Sequence, residues 1–251
     1  MYLYQDFVIK ADNLKIQLSG KAIIDGIDFE VEEGKTLAVM GKNGSGKSTL
    51  LKAVAGLVAP NVGSVTIERH DISEPSQESE LPILAYVFQK GGLFDSMDVF
   101  DNTAFGLVRM GLAEEIIQER VMASLSRVGL KGSERKLPSE LSGGMQKRVG
   151  IARAVCMEPE IIIYDDPTAG LDPVLSDSIA DLILEIRDLT GAVSILATHD
   201  LNVAQKTADT IILLYDGRAV FNGNSETFFS KQDDFARQFI DGDIEGPIDI
   251  F

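Results

Sequence analysis

Eight consecutive residues, Gly41-Lys42-Asn43-Gly44-Ser45-Gly46-Lys47-Ser48, constrain this chain more than any other feature. Glycines here let the backbone turn tightly and aim its N–H groups at one point, which suits anionic oxygens. Thr36-Leu37-Ala38-Val39-Met40 before the loop reads as a buried strand, and Thr49 to Ala55 after it reads as a helix. Strand, glycine loop and helix is the context in which a nucleotide's phosphates rest on a helix N-terminus. In that context Gly41 to Thr49 form the cradle, Lys47 reaches the β- and γ-phosphates, and Ser48 offers its hydroxyl to Mg²⁺.

The rest of the pattern agrees with an α/β fold. Ile161-Ile162-Ile163-Tyr164, Val193 to Ala197 and Ile211 to Leu214 are near-continuous apolar runs. Such runs, alternating with helices, indicate a mostly parallel sheet covered on both faces. Residues 7 to 33 alternate like strands, most clearly Phe7-Val8-Ile9 and Ile27 to Val31, and Gly63 to Glu68 is another strand. Leu84 to Phe88 reads as a buried strand ending at Gln89, and residues 71 to 82 as a polar surface loop. From about 95 to 157 the period becomes helical, with Ile117, Val121, Leu125 and Val128 on one stripe and Met145, Val149, Ala152 and Cys156 on another. Beyond about 226 the chain reads as acidic and irregular, and no internal repeat is visible.

Composition excludes some classes. The net charge of −16 opposes nucleic acid as the main partner and unaided binding to an anionic membrane. The single cysteine, Cys156, permits no intrachain disulfide and fits a reducing compartment. No apolar run is long enough to span a bilayer, and Met1 to Asp6 show no basic region followed by an apolar stretch, so no secretory signal is expected. The expectation is a cytoplasmic protein whose membrane role, if it has one, comes through a partner.

Several polar residues fall where chemistry would need them. Asp165 follows the strand Ile161 to Tyr164, where a carboxylate meets Mg²⁺ in an open α/β sheet. Asp166 follows and can orient or activate an attacking water. His199 ends the strand Val193 to Thr198 and can contact a γ-phosphate, whereas His70 sits in a polar turn without a role. Each of these is also an ordinary turn or cap position. Leu141-Ser142-Gly143-Gly144-Met145 opens a helix, so Ser142 and the amides of Gly143 and Gly144 either receive an anion or simply cap the helix.

The phosphate loop, Gln89, Leu141 to Met145, Asp165, Leu171-Asp172 and His199 resemble, in order and spacing, the ABC-type ATPase subunits, over nearly the whole chain. That resemblance implies a P-loop NTPase core of RecA-like type with a mostly parallel sheet, an N-terminal antiparallel β subdomain and an inserted helical subdomain. It implies one domain over 1–251: core at 1–90 and 158–225, helical subdomain at 91–157, C-terminal extension at 226–251. Two copies pair head to tail, and each ATP lies between the loop of one copy and Ser142, Gly143 and Gly144 of the other. Asp172 lies in the segment crossing that dimer. Gln89 links the nucleotide to the membrane partner; it joins Ser48 and Asp165 beside the metal, and Asp166 and His199 in catalysis.

Two departures stand out. The family usually has Glu where this chain has Asp166. The family also carries an aromatic residue to stack on adenine, and Asn13 to Gly20 contains none, which leaves Ile16 or Leu18 as an apolar contact.

Gly91 to Asn102, Met145 and the tail Arg237 to Ile248 are similar to the ATPases of Mla/Mce-type lipid transporters. This implies a homodimer under an MlaE-like permease, an Mce-type lipid-binding protein in the same complex, phospholipid as cargo, ATP and Mg²⁺ as cofactors, and a place on the cytoplasmic face of the inner membrane. Leu93, Phe94, Met97, Val99 and Phe100 are then either core or a groove for the permease's coupling helix, and the tail is either solvated or docked on the partner ATPase. An amino-acid or small-solute importer is the alternative. An ATPase acting on DNA or ribosomes fits less well: the 93 residues from Ser48 to Leu141 (141 − 48) leave no room for a long coiled coil, the chain carries one ATPase unit, and its charge is acidic.

Overall fold

The computed structural model describes residues 7–68, 70–71 and 83–248. In chain order the elements are β1 (Phe7–Leu18), β2 (Lys21–Glu32), β3 (Thr36–Gly41), α1 (Lys47–Val54), β4 (Val62–Ile67), β5 (His70–Asp71), β6 (Leu84–Val87), α2 (Val99–Arg109) and α3 (Glu114–Arg127). They continue with α4 (Gly143–Val155), β7 (Ile161–Asp165), α5 (Pro173–Thr190), β8 (Val193–Ala197), α6 (Leu201–Thr207), β9 (Thr210–Tyr215), β10 (Arg218–Asn224), α7 (Ser225–Phe229) and α8 (Asp234–Asp241). They form two compact units, Met1–Pro82 with Val193–Phe251, and Ile83–Ala192.

The first unit holds an antiparallel sheet of order β2-β1-β4-β5. In β1 the side chains of Ile9, Ala11, Leu14 and Ile16 are all buried, although strict alternation would turn Leu14 outward. A register shift between Ala11 and Leu14, with Asn13 at φ 43°, inserts the extra residue that brings Leu14 back to the inner face. His70, expected in a turn, instead pairs with Ile67 as part of β5. The loop expected at 71–82 lies, from 72 on, outside the described residues.

The same unit holds β3 between two parallel neighbours, β8 and β9, and β10 pairs antiparallel with β9. Strands with neighbours on both edges and cover on both faces are apolar throughout, as Leu37 to Met40 are. Against β3, β9 and β10 packs the C-terminal part of the chain, which corrects the expectation of an irregular end. Phe228 of α7 is fully buried and meets the ring of Phe221 edge-on at 5.1 Å between centroids. Ala236 of α8 and Ile248 belong to the same apolar cluster. Gln238 fastens the last stretch: its amide accepts from Ile248 N at 2.6 Å and donates to the carbonyls of Ile248 at 3.0 Å and Asp243 at 3.2 Å. Of the acidic residues that made this region look unstructured, Glu226, Asp234 and Asp241 lie exposed on short helices, and Asp243 and Glu245 on the exposed stretch after α8.

In the second unit β6 and β7 run parallel, with Leu84 opposite Ile161 and Val87 opposite Tyr164. The strand β6 stops at Val87, one residue sooner than the apolar run suggests, and Phe88 is exposed. Gln89 therefore stands in a turn. Asp98 caps α2 by accepting from Asp101 N. Asp172 caps α5 in the same way, Pro173 fills the first helical position, and Gly191 at φ 68° ends the helix. Among the described residues no helix is long and apolar enough to cross a membrane.

Candidate nucleotide site and partner groove

The residues expected to meet the nucleotide divide between the units: Gly41 to Thr49 and His199 belong to the first, Gln89, Ser142 to Gly144, Asp165, Asp166 and Asp172 to the second.

In the first unit β3 delivers the chain into the glycine loop. Gly41 has φ 144°, and a Cβ there would lie 2.3 Å from the Leu214 carbonyl and 2.7 Å from Ser45 Oγ, so only glycine fits. Gly46, at φ 109°, is α1's N-cap and supplies no side-chain bond, and the first turn contains no acidic residue. The helix N-terminus is thus left for an external anion. Lys47 is buried, and its Nζ donates to the carbonyls of Gly41 at 2.8 Å and Lys42 at 3.0 Å. Ser45 Oγ is buried without a hydrogen-bond partner in the chain. A cation, a ring of amides and an unsatisfied hydroxyl in one loop form a receptor for phosphate oxygens. Lys42 lies over the Tyr215 ring, 4.5 Å from its centroid, and 3.5 Å from the Asp216 carboxylate. Asn43, Gly44 and Ser48 are exposed, and His199 stands exposed two residues beyond β8. Of the two apolar residues expected to face the base, Ile16 is wholly buried in the core, which leaves Leu18, 45% exposed.

In the second unit β7 ends at Asp165, whose Oδ2 accepts from the Tyr86 hydroxyl at 2.9 Å. Burial, and then the Asp165 carboxylate beside it, push the Tyr86 phenol well above its ordinary value, so it remains a donor. Asp166 follows in the left-handed region at φ 48°, and both carboxylates are buried. Lys147 of α4, which the sequence did not single out, is also buried. Its Nζ donates to the Gln89 carbonyl and lies 3.5 Å from the Asp166 carbonyl. Burial lowers its affinity for the proton, while Asp166 and then Asp165 raise it.

A carboxylate at a strand end and a serine hydroxyl are hard oxygen donors and fit Mg²⁺. Among the described residues no cluster of three His, Cys, Asp or Glu could hold a metal alone. That suits an ion held by one or two protein oxygens and the phosphates of its nucleotide.

Ser142 caps α4, its Oγ accepting from Met145 N at 3.3 Å. Ser142 and Gly143 are exposed, and nothing lies within 4 Å of a Cβ placed at Gly143. Beside Gly144 sits Leu175, and Val174 is 78% exposed, so an apolar surface borders this helix start.

A second feature of the same unit is a cleft of about 300 Å³ lined by Tyr86, Phe88, Phe94, Phe105, Arg153 and Met157. Its rim is built rigidly. Asn102, wholly buried, accepts from Phe94 N and donates to the carbonyls of Phe94, Met97 and Asp98. Arg153 donates to the carbonyls of Gly91 and Gly92. Of the residues expected to form core or groove, Val99 is buried whereas Phe94 is 41% exposed at the cleft.

A phosphate-receiving loop between a central parallel strand and a helix, with paired carboxylates at the end of another strand, defines a P-loop nucleoside triphosphatase. The chain belongs to the ABC transporter family, whose pattern matches residues 24–169. It is 38% identical to the protein TRIGALACTOSYLDIACYLGLYCEROL 3, chloroplastic, of Arabidopsis thaliana, over 97% of this chain and 76% of that one. It is 34% identical to the intermembrane phospholipid transport system ATP-binding protein MlaF of Haemophilus influenzae, over 96% of this chain and 93% of that one. Among solved structures, an ATP-binding cassette captured as a dimer in a post-hydrolysis state with ADP and Pi superposes with a TM-score of 0.78 at 28% identity, covering 86% of this chain and 98% of that one. The protein is an ATPase, the ATP-hydrolysing subunit of an ABC transporter.

Proposed function

We propose that this ATPase energises phospholipid movement through a membrane permease of Mla/Mce type. The lipid part of the reading rests on one observation, the 34% identity to MlaF of Haemophilus influenzae across 96% of the chain. The permease part is supported by the cleft at Phe88 and Phe94, an apolar, rigidly framed groove of the kind that receives an amphipathic helix. An Mce-type lipid-binding protein completes the complex, which sits on the cytoplasmic face of the inner membrane.

The whole chain acts as one ATPase domain. Gly41 to Thr49 hold the triphosphate of ATP, Lys47 turns from its loop carbonyls to the β- and γ-phosphates, and His199 contacts the γ-phosphate. Ser48, Asp165 and Gln89 would hold Mg²⁺, whose charge would offset that of the phosphate oxygens. Asp166 orients the attacking water. Two copies pair so that Ser142, Gly143 and Gly144 of one close on the nucleotide of the other; the exposed Val174 and Leu175 give that face its apolar border. Asp172, capping α5 at this border, sets where the face begins.

The test is purification of the native complex from membranes, followed by lipid extraction and ATPase assays. Co-purification of a permease and an Mce-type protein, bound phospholipid and ATPase activity that depends on phospholipid are the expected results. ATPase activity stimulated by an amino acid or another small solute, without lipid dependence, overturns the lipid reading.

A further inference from the structure

α4 starts at the exposed Ser142 and Gly143, yet its fifth residue, Lys147, carries an ammonium group into the interior of the second unit. A buried cation is costly unless it is paired and hydrogen-bonded. Here it faces the carbonyl of Gln89, the carbonyl of Asp166 and the charges of Asp166 and Asp165. Three segments far apart in sequence thus converge on one Nζ: the helix that begins with Ser142, the turn after β6, and the turn after β7. Gln89 is exposed and lies outside the strand, so β6 pairing does not hold it. Asp166 occupies a left-handed conformation that is unfavourable for a side-chain-bearing residue and persists only where surroundings impose it.

We propose that Lys147 is a positioning residue for ATP hydrolysis: it ties α4 to the Gln89 and Asp166 turns, so that a shift of the helix start moves Gln89 and the water-orienting carboxylate together. This rests on the reading of Asp166 and Gln89 given above. The side chain acts on the peptides that carry Gln89 and Asp166. An aspartate in the place of the family's usual glutamate makes that placement more demanding, because the shorter side chain leaves less room to adapt.

The experiment uses the full chain with Lys147→Met, which keeps the length and loses donor and charge, and Lys147→Arg, which keeps both. Steady-state and single-turnover ATP hydrolysis, nucleotide affinity, and amide exchange at residues 89 to 92 are measured, with Lys47→Ala as the control. The expected result for Lys147→Met is a fall of about tenfold in kcat with KM and ATP affinity within about twofold of wild type, and faster exchange at residues 89 to 92. Lys147→Arg should recover kcat to within about threefold. Lys147→Met with wild-type kcat, beside an inactive Lys47→Ala, overturns the strut alone. A Lys47→Ala enzyme that still turns over at wild-type rate removes the nucleotide reading and the strut with it. Should the methionine variant not fold, Lys147→Gln, which keeps a donor but loses reach and charge, carries the same test: unchanged kcat overturns the proposal.

Discussion

Asp165 and Asp166 put two buried carboxylates side by side at the end of β7, and their surroundings separate their roles. Asp165 is fixed by the Tyr86 hydroxyl and Asp166 by a turn with left-handed geometry. If Asp166 orients the water, it does so with one methylene less than glutamate. A misplacement of about 1 Å costs on the order of a hundredfold, or roughly 2.7 kcal/mol of barrier. Asp166→Glu is therefore expected to raise kcat, and Asp166→Asn to abolish hydrolysis nearly completely while ATP still binds. Single-turnover hydrolysis with the three forms checks this; wild-type turnover in Asp166→Asn removes the residue from the mechanism. The phosphate loop and Asp165 could be read from the sequence because their chemistry is local: a run of glycines, a strand before, a helix or turn after. Tyr86 and Lys147 could not. Their partners stand 79 and 58 residues away, and a tyrosine in a strand or a lysine in a helix gives no local sign of which carbonyl or carboxylate it will meet.

Among the elements, α4 carries two duties at its first turn. Ser142 satisfies the Met145 amide, a contribution of about 1 kcal/mol to stability. The same exposed start is proposed to close on the partner's nucleotide. Substitutions can separate the duties. Ser142→Asp keeps a good cap and adds a negative charge where phosphate should approach. Its melting temperature should stay within a few degrees of wild type, while ATP-driven pairing, followed by light scattering or cross-linking, is lost. Ser142→Asp that pairs normally with ATP sinks the assignment. The existence and type of α3, α4, β7, β8 and β9 were legible because each shows a sustained apolar period. Boundaries were less so. Phe88 looked like the continuation of an apolar strand, yet it turns outward at the cleft; hydrophobicity alone does not distinguish a side chain that enters a core from one that waits at a groove. Ile16 was the converse case, an apolar residue near the expected adenine site whose inward register removes it from any ligand.

At the scale of the molecule, the C-terminal helices are part of the first unit's core. Phe228 is wholly buried beside Phe221, Ala236 and Ile248, over β3, β9 and β10. Phe228→Ala should cost about 3–5 kcal/mol, measured by denaturant unfolding, and should weaken ATP binding in parallel, because β9 supports the strand that feeds the phosphate loop. A loss below about 1 kcal/mol would mean that this end contributes little to the core. Charge hid this region from the sequence: acidic residues are interspersed through it, and the apolar ones that face inward are spread over two short helices and a strap, too brief for a clear period. The first unit is also built from two separated stretches of chain, whereas the second is continuous. On the ribosome, β3 and its glycine loop emerge early, but both strands that border β3 are made about 150 residues later. At roughly 5–20 residues per second that is an interval on the order of ten seconds. During it β3, an apolar strand, stands without neighbours although the second unit, continuous in the chain, has already been made. The newborn chain thus makes its nucleotide loop early but can seat the strand that carries it only late, and the interval before Val193 appears is when a chaperone has most to protect.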